Sequence, residues 1–289
     1  MTIMKKKVLG LVASPRRSGN CEMLVKEMLL AGGESWDKEI ITLHELAIKP
    51  CQACYRCLPE GARCVLPDDF RFLTEKIAAA DALVIAAPCY FLGPNAVFKN
   101  VLDRFLSVAN EGSTYRGKPC VTFTTYGIPQ WYGFGQEFTN MFARFLGLDL
   151  KESFLVRAAY PGEFMKDARL LQEVKEVAQN LFNPSYTKET DSLSCPACWN
   201  RKFLFESGGR ILWCPVCGLR AKIEADGDGI KMHFEDSAKN RFTPEEMRHH
   251  FQEVLPAVKD EFIARLQEIK ELQQKYKGLN WKAEKEERA

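Results

Sequence analysis

Histidine is scarce in this sequence, and neither sign of charge dominates. The four histidines, His44, His233, His249 and His250, have no placement that suggests catalysis, and no Cys–His or Ser–His–Asp pattern accompanies them. Forty Lys and Arg stand against 38 Asp and Glu, a net charge of +2, so bulk electrostatics do not point to nucleic acid or to an acidic partner. There is no run of about 20 apolar residues, so no membrane span is expected. Residues 1–7 are basic and lead into an apolar stretch, but Ser14-Pro15-Arg16-Arg17 interrupts it and no convincing small-residue cleavage site follows. A buried strand, not a signal peptide, is therefore expected at this start. The Walker lysine spacing and the Gly-x-Gly-x-x-Gly fingerprint are both missing, which disfavours an ATP loop and a dinucleotide loop.

Cysteine, by contrast, is plentiful. Eleven are present, and eight of them fall in two metal-like groups, which argues for a reducing cytoplasm. Cys51, Cys54, Cys57 and Cys64 read Cys-x2-Cys-x2-Cys-x6-Cys. Three thiolates spaced by two residues can wrap one corner of a cubane, and the fourth closes the last iron. A single zinc suits two opposed pairs better. Four inert core cysteines at this spacing would be a coincidence. The pattern predicts a 4Fe–4S cluster and a role in moving electrons.

The second group is Cys195, Cys198, Cys214 and Cys217: two Cys-x2-Cys knuckles separated by fifteen residues. That matches a tetrahedral four-thiolate site. Ser207-Gly208-Gly209 between residues 202–205 and 211–213 is a hairpin signature, so the module is expected to be a zinc ribbon. The second knuckle is similar to those of rubredoxins, which makes iron possible. Trp199 in place of a glycine in the first knuckle, and the short spacing, favour zinc. Arg201, Lys202, Arg210, Arg220 and Lys222, with Phe203, Phe205 and Trp213 interleaved, are weighed as a nucleic-acid surface against an ordinary solvated hairpin. The ordinary hairpin carries more weight.

The first 185 residues alternate strand and helix. Strands are expected at 7–13, 40–43, 82–87, 119–125 and 153–159. Helices are expected at 21–31, from 68 or 69 to about 80, and at 95–108, 136–146 and 164–181. This is an α/β chain with a flavodoxin-like, doubly wound, five-stranded parallel sheet. Ligands in such sheets sit beyond the carboxyl ends of the strands. Three loops leave those ends: residues 14–21, 88–94 and 125–133. The first offers hydroxyls, a guanidinium, an amide and a helix N-terminus, all suited to a phosphate. The second offers aromatics that can pack against a flat ring, or in the core. The third has Gly127, which lets backbone approach a ligand closely. Cys89 in the second loop is simplest as a structural thiol, and Cys120 as core.

Ser-Pro-Arg-x-x-Gly-Asn after the first strand, and the Pro-x-Tyr-Phe loop with Lys99 and Asp103-Arg104 downstream, resemble the NADPH-dependent FMN reductase branch of flavodoxin-like proteins. The compact cysteine motif followed by Asp68-Asp69 narrows the resemblance to the iron–sulfur flavoproteins, over about residues 5–182. The resemblance implies noncovalent FMN, with its phosphate on Ser14, Arg16, Ser18, Asn20 and Cys21. Cys21 stands where the family usually has a hydroxyl residue. The flavin ring would lie against Pro88, Cys89, Tyr90, Phe91 and Gly93 and against Thr125, Tyr126 and Gly127. It also implies a dimer or tetramer, and NAD(P)H or ferredoxin as electron donor.

Phe182-Asn183-Pro184-Ser185 breaks the pattern. Three segments are therefore expected: 1–185, an FMN-binding domain with the cysteine insert at 48–67; 186–240, the ribbon; and 241–289, a helical tail. The tail starts with a Thr243 cap, Pro244 and Glu246, carries an apolar stripe from Phe251 to Tyr276, and should kink near Pro256. The resulting reading is a cytoplasmic oxidoreductase with FMN, a 4Fe–4S cluster and zinc. The rivals are an NAD(P)H-dependent FMN or quinone reductase in which Cys51 to Cys64 hold structural zinc, and a redox-sensing regulator that binds nucleic acid or protein through its ribbon.

Overall fold

The computed structural model describes residues 5–59, 61–187, 191–227, 229–279 and 281. They divide into two compact units, Met1–Met247 and Arg248–Ala289.

In the first unit, β1 (Lys6–Val12) is buried over its last five residues, leads through a polar loop into α1 (Asn20–Ala31), and is followed by β2 (Trp36–Thr42). The cysteine segment then precedes α2 (Phe70–Ala79). β3 (Ala82–Tyr90) turns back on the two-residue β4 (Gly93–Pro94) and continues into α3 (Ala96–Arg104) and the one-turn α4 (Gly112–Tyr115). β5 (Pro119–Tyr126), α5 (Gly135–Phe145), β6 (Asp149–Arg157) and α6 (Ala168–Asn180) complete the alternation. The parallel order is β2-β1-β3-β5-β6, with β4 pairing antiparallel to β3. This is the flavodoxin-like doubly wound order. Five parallel strands are present as expected, and the short β4 makes the sixth.

Alternate strand residues face opposite sides of a sheet, and each side here has its own core. Leu9, Leu11, Leu83 and Ile85 pack with Leu73, Phe98 and Phe142 on one side. Val8, Val12, Val84, Val121 and Phe123 pack with Leu24, Val25, Met28 and Val174 on the other. The central strands are buried on both faces, which is why they read as continuous apolar runs.

Several boundaries differ from the expectation. β2 begins at Trp36 rather than 40, β3 runs on to Tyr90 rather than 87, and β6 begins at Asp149 rather than 153. A register shift opposite Cys120 and Val121 lets Lys151 turn aside, where its buried ammonium donates to the carbonyls of Asn183 (3.2 Å) and Tyr186 (3.0 Å). The helix expected from 164 starts at Ala168, because Asp167 accepts a cap from Leu170 N–H (3.0 Å). The α-helical part of 95–108 ends at Arg104 and continues as a 3-10 turn, Phe105–Glu111.

The ribbon is larger than the expected hairpin. β7 (Leu204–Phe205), β8 (Ile211–Trp213), β9 (Arg220–Asp226) and β10 (Gly229–Phe234) form an antiparallel sheet in the order β10-β9-β8-β7. α7 (Pro244–His249) follows, and Thr243 Oγ1 accepts from Glu246 N–H (3.3 Å), as the capping pattern predicted.

The second unit is helical. A π-helical turn, His250–Val254, leads into α8 (Leu255–Ala264) and α9 (Leu266–Gln273). Pro256 is the second residue of α8 and directly follows the π-helical turn, whose wider path makes room for the ring. Val258, Phe262, Leu272 and Tyr276 of the predicted stripe are exposed.

Candidate functional site

All three predicted ligand loops lie at the carboxyl edge of the parallel sheet, and side chains tie them to one another. Asn95 Nδ2 donates to the carbonyl of Ala13 (2.6 Å), joining the loop after β3 to the end of β1. Cys21 Sγ lies 3.3 Å from Thr125 Oγ1, joining the start of α1 to the end of β5. Burial pushes the Cys21 thiol up to about 12, against a smaller opposing effect of Thr125. Burial thus favours the neutral thiol over the thiolate.

The loop after β1 is shaped for an anion more by its backbone than by its side chains. Ser18 is left-handed (φ 51), and Gly19, the N-cap of α1, brings no side-chain cap. A Cβ on Gly19 would stand 2.9 Å from the Arg16 carbonyl oxygen. Ser14 Oγ accepts from Arg16 N–H (3.2 Å), and Arg16 donates to the Ala159 carbonyl (3.2 Å). The Asn20 side chain, expected to contact phosphate, is committed elsewhere. Its Nδ2 donates to the carbonyls of Ala158 and Tyr160 (both 2.9 Å), and its Oδ1 accepts from Gly162 N–H (2.9 Å). Asn20 thus staples residues 158–162 to the site.

The loop after β3 is a tight hairpin. Cys89 pairs with Pro94 and Tyr90 with Gly93, leaving Phe91 (φ 48) and Leu92 (φ 65) as its two left-handed corner residues. Such a turn favours Gly or Asn, and bulky residues there store about 1–3 kcal/mol of strain each. Phe91 is nevertheless 97% exposed. The 128–135 segment holds this hairpin from outside. Phe134 N–H donates to the Leu92 carbonyl (2.7 Å), and a Cβ on Gly133 would fall 2.2 Å from that oxygen. The Cys89 thiol donates to the Tyr132 carbonyl (3.3 Å), and burial pushes its pKa up. The Tyr132 ring meets Tyr126 edge-on at 5.4 Å.

Cys51, Cys54, Cys57 and Cys64 line one depression together with Leu66, Arg104 and Ser107. Cys51 and Cys54 are exposed, and Cys57 and Cys64 half-buried. Ala53 (φ 49) and Tyr55 (φ 54) are left-handed, while the residues between and beside them are not. Alternation of this kind turns backbone N–H groups into a concavity for anions, a device of iron–sulfur sites. Burial pushes the Cys57 thiol up, and the neighbouring Cys64, Cys54 and Cys51 add to it.

The base of this segment is clamped. Asp68 accepts from the N–H groups of Lys49 (2.9 Å) and Phe70 (3.1 Å), and Asp69 accepts from Ala47 N–H (2.7 Å). Arg104 donates to Asp68 through both terminal nitrogens (2.6 and 3.2 Å), to the Lys49 carbonyl (2.7 Å) and to Cys64 Sγ (3.1 Å), and it stacks on Phe70 at 4.6 Å. Burial alone would raise Asp68, but Arg104 and the two N–H groups outweigh it and hold the carboxyl below its ordinary value. Arg104 is the functional residue that residue-by-residue reading left unassigned; only its place after Asp103 in the family-like motif marked it.

In the ribbon, the sulfurs of Cys195, Cys198, Cys214 and Cys217 are buried and lie within 4.8 Å of one another. Among the described residues this is the one group that closes to single-ion size. Cys51, Cys54, Cys57 and Cys64 do not close to that size. The two knuckles are twins: Trp199 N–H donates to Cys195 O and Gly218 N–H to Cys214 O (both 2.8 Å). Trp199 (φ 63) takes the left-handed place that Gly218 (φ 81) holds in its twin.

Residues 6–143 match the family model described as NADPH-dependent FMN reductase. An iron–sulfur flavoprotein of Methanocaldococcus jannaschii is 37% identical over 99 residues, which are 34% of this chain and 51% of that protein. One of Archaeoglobus fulgidus is 31% identical over 128 residues, 43% of this chain and 57% of its own length. The chain thus spans about half the length of the curated relatives it matches. A solved structure titled flavone reductase aligns over 97% of this chain and 100% of its own, with a TM-score of 0.78 and 20% identity, a likeness of fold.

Proposed function

We propose that this chain, whose residues 6–143 match the NADPH-dependent FMN reductase model, is an iron–sulfur flavoprotein oxidoreductase. FMN binds beyond the carboxyl ends of β1, β3 and β5, a 4Fe–4S cluster sits on Cys51, Cys54, Cys57 and Cys64, and zinc occupies Cys195, Cys198, Cys214 and Cys217. NAD(P)H or reduced ferredoxin is the donor. The assembly is a homo-oligomer.

The observation that carries this reading is the meeting of three loops of different character at one sheet edge. The first supports a phosphate: the first backbone N–H groups of α1 are free of a side-chain cap, and Arg16 adds a charged fork. The second and third support a flat ring between the 90–93 hairpin and residues 125–127. Asn95 Oδ1, buried there, has no partner among the described residues, and a bound donor would satisfy it. The sequence departure at Cys21 fits as well, because a backbone N–H serves the phosphate whatever the side chain is.

Bound FMN exchanges electrons in pairs or singly and the cluster exchanges them singly, so together they join two-electron donors to one-electron partners. The protein's own residues bind and orient. Arg16 and the α1 backbone fix the phosphate end. The strained hairpin and the 128–135 segment hold the ring end and exclude water. Arg104 donates to the sulfur of Cys64 and so fixes the direction of one cluster ligand. No side-chain acid or base is required.

The regulator reading is weaker. Of the five basic ribbon residues, Arg201 pairs with Asp191, Lys202 with Glu137 and Arg220 with Glu206, so three are neutralised within the chain. The test of the proposed activity is an anaerobic titration of the flavin-loaded chain with NADPH and, separately, with reduced ferredoxin. Bleaching of the flavin band by either supports it. A flavin that neither donor reduces counts against it.

A further inference from the structure

Resting on the flavin site proposed above, we propose that Lys202 is a positioning residue, carried by the metal-loaded ribbon, that fixes the 128–135 wall of that site. Lys202 lies outside the family-matched residues 6–143 and outside both cysteine groups.

Its ammonium pairs with Glu137 in the first turn of α5 and lies over the rings of Tyr132 (5.2 Å) and Phe134 (5.5 Å). Those rings belong to the segment that grips the hairpin at Leu92 and Cys89 and meets Tyr126. Glu137 is 7% exposed, so this is a nearly dry carboxylate whose partner comes from the ribbon. A cation held over two ring faces and against one buried carboxylate fixes the segment more tightly than an exposed ion pair would.

Asn200 ties Lys202 to the metal site. This buried side chain donates to Cys214 Sγ (3.3 Å) and to the Lys202 carbonyl, and its Oδ1 accepts from Lys202 N–H (3.1 Å). Its own carbonyl accepts from Cys195 N–H (2.8 Å). The position of Lys202 therefore follows from the geometry around two metal-ligand cysteines.

The far end of α5 adds a second hold. Arg144, seven residues after Glu137 and on the same helix face, places its guanidinium 5.1 Å from the centre of the Trp199 ring. Its Nε has no hydrogen-bond partner among the described residues. A divalent ion on four thiolates carries net negative charge, and a half-buried guanidinium over the ring of a knuckle residue is suited as its countercharge. Trp199 accepts a left-handed backbone in order to sit there. The ribbon is thus built onto α5 at both ends, by Lys202 to Glu137 and by Trp199 to Arg144.

The experiment is hydrogen exchange of the full-length chain, with FMN and metal as isolated, followed by mass spectrometry on peptides covering residues 127–135. Wild type, Lys202→Met and Lys202→Arg are compared, together with wild type stripped of its ribbon metal by a chelator. Lys202→Met and metal removal should each speed exchange in that segment about tenfold, while Lys202→Arg keeps protection within about twofold and the β1 peptide is unchanged throughout. FMN dissociation should quicken in the Met variant and recover in the Arg variant. Unchanged exchange in Lys202→Met overturns the proposal, as does acceleration that spreads to β1. An effect of Lys202→Met without an effect of metal removal overturns the metal's part. A wild-type chain that binds no FMN refutes the flavin site itself, and the exchange data still decide whether Lys202 braces the segment.

Discussion

Arg104 and Asp68 form an ion pair in which both side chains are 1% exposed, and the same guanidinium reaches the sulfur of Cys64. The pair closes the neck of the cysteine segment and gives one predicted cluster ligand its direction. Arg104→Leu would strand a buried carboxylate, at a cost of about 3–5 kcal/mol in urea unfolding. It should also lower the iron retained per chain. Asp68→Asn, which keeps one acceptor for the N–H groups, should cost less. Equal stability of Arg104→Leu and wild type would contradict the clamp.

Replacing Cys54 or Cys57 by Ser should abolish the iron absorbance and leave FMN bound, because neither residue touches the three loops at the sheet edge. Loss of flavin with an unchanged iron count would mean that the two sites are assigned the wrong way round.

Arg16→Ala should weaken FMN binding by about 1–3 kcal/mol, measured by fluorescence titration, because a charged contact to phosphate is lost. Asn20→Ala should act differently. It releases the 158–162 staple, so thermal stability falls as well as affinity. If Arg16→Ala binds FMN as wild type does, the phosphate lies elsewhere.

The Cys21 thiol gives a pH signature. Its folded pKa, about 12, lies above the ordinary value of 9.0. A raised folded pKa contributes stability that is fully present below the unfolded pKa and is lost as pH rises through the folded one. Wild type should therefore lose stability relative to Cys21→Ala between about pH 9 and pH 12 in urea unfolding. A difference that stays constant across this window would show that the thiol is not desolvated.

The double variant Cys54→Ser/Cys57→Ser should keep about one zinc per chain, because the ribbon sulfurs close on one another without help from the first group. Disappearance of zinc would join the two metal sites into one.

The parallel sheet and both cysteine groups were legible in the sequence because each is a local pattern. A strand buried on both faces is an apolar run, and metal knuckles are spacings. β6 was read four residues short because Lys151 and Glu152 break its run, and the ammonium of Lys151 is used on carbonyls that only the fold brings near. β9 and β10 went unread although Asp226-Gly227-Asp228-Gly229 marks a turn between alternating segments. Arg104 and Lys202 could not be placed, since their partners Asp68 and Glu137 lie 36 and 65 positions away. The family resemblance puts Asn20 on the phosphate, whereas its side-chain amide is spent on three backbone groups.

The most direct test of the two-cofactor oxidoreductase is the metal and flavin content of chain purified without oxygen, measured beside its visible spectrum. The account predicts about four irons, one zinc and one FMN per chain, with cluster absorbance beneath the flavin bands. FMN with about two zincs and no iron would contradict it, and would leave a flavin reductase whose first cysteine group is a structural clip.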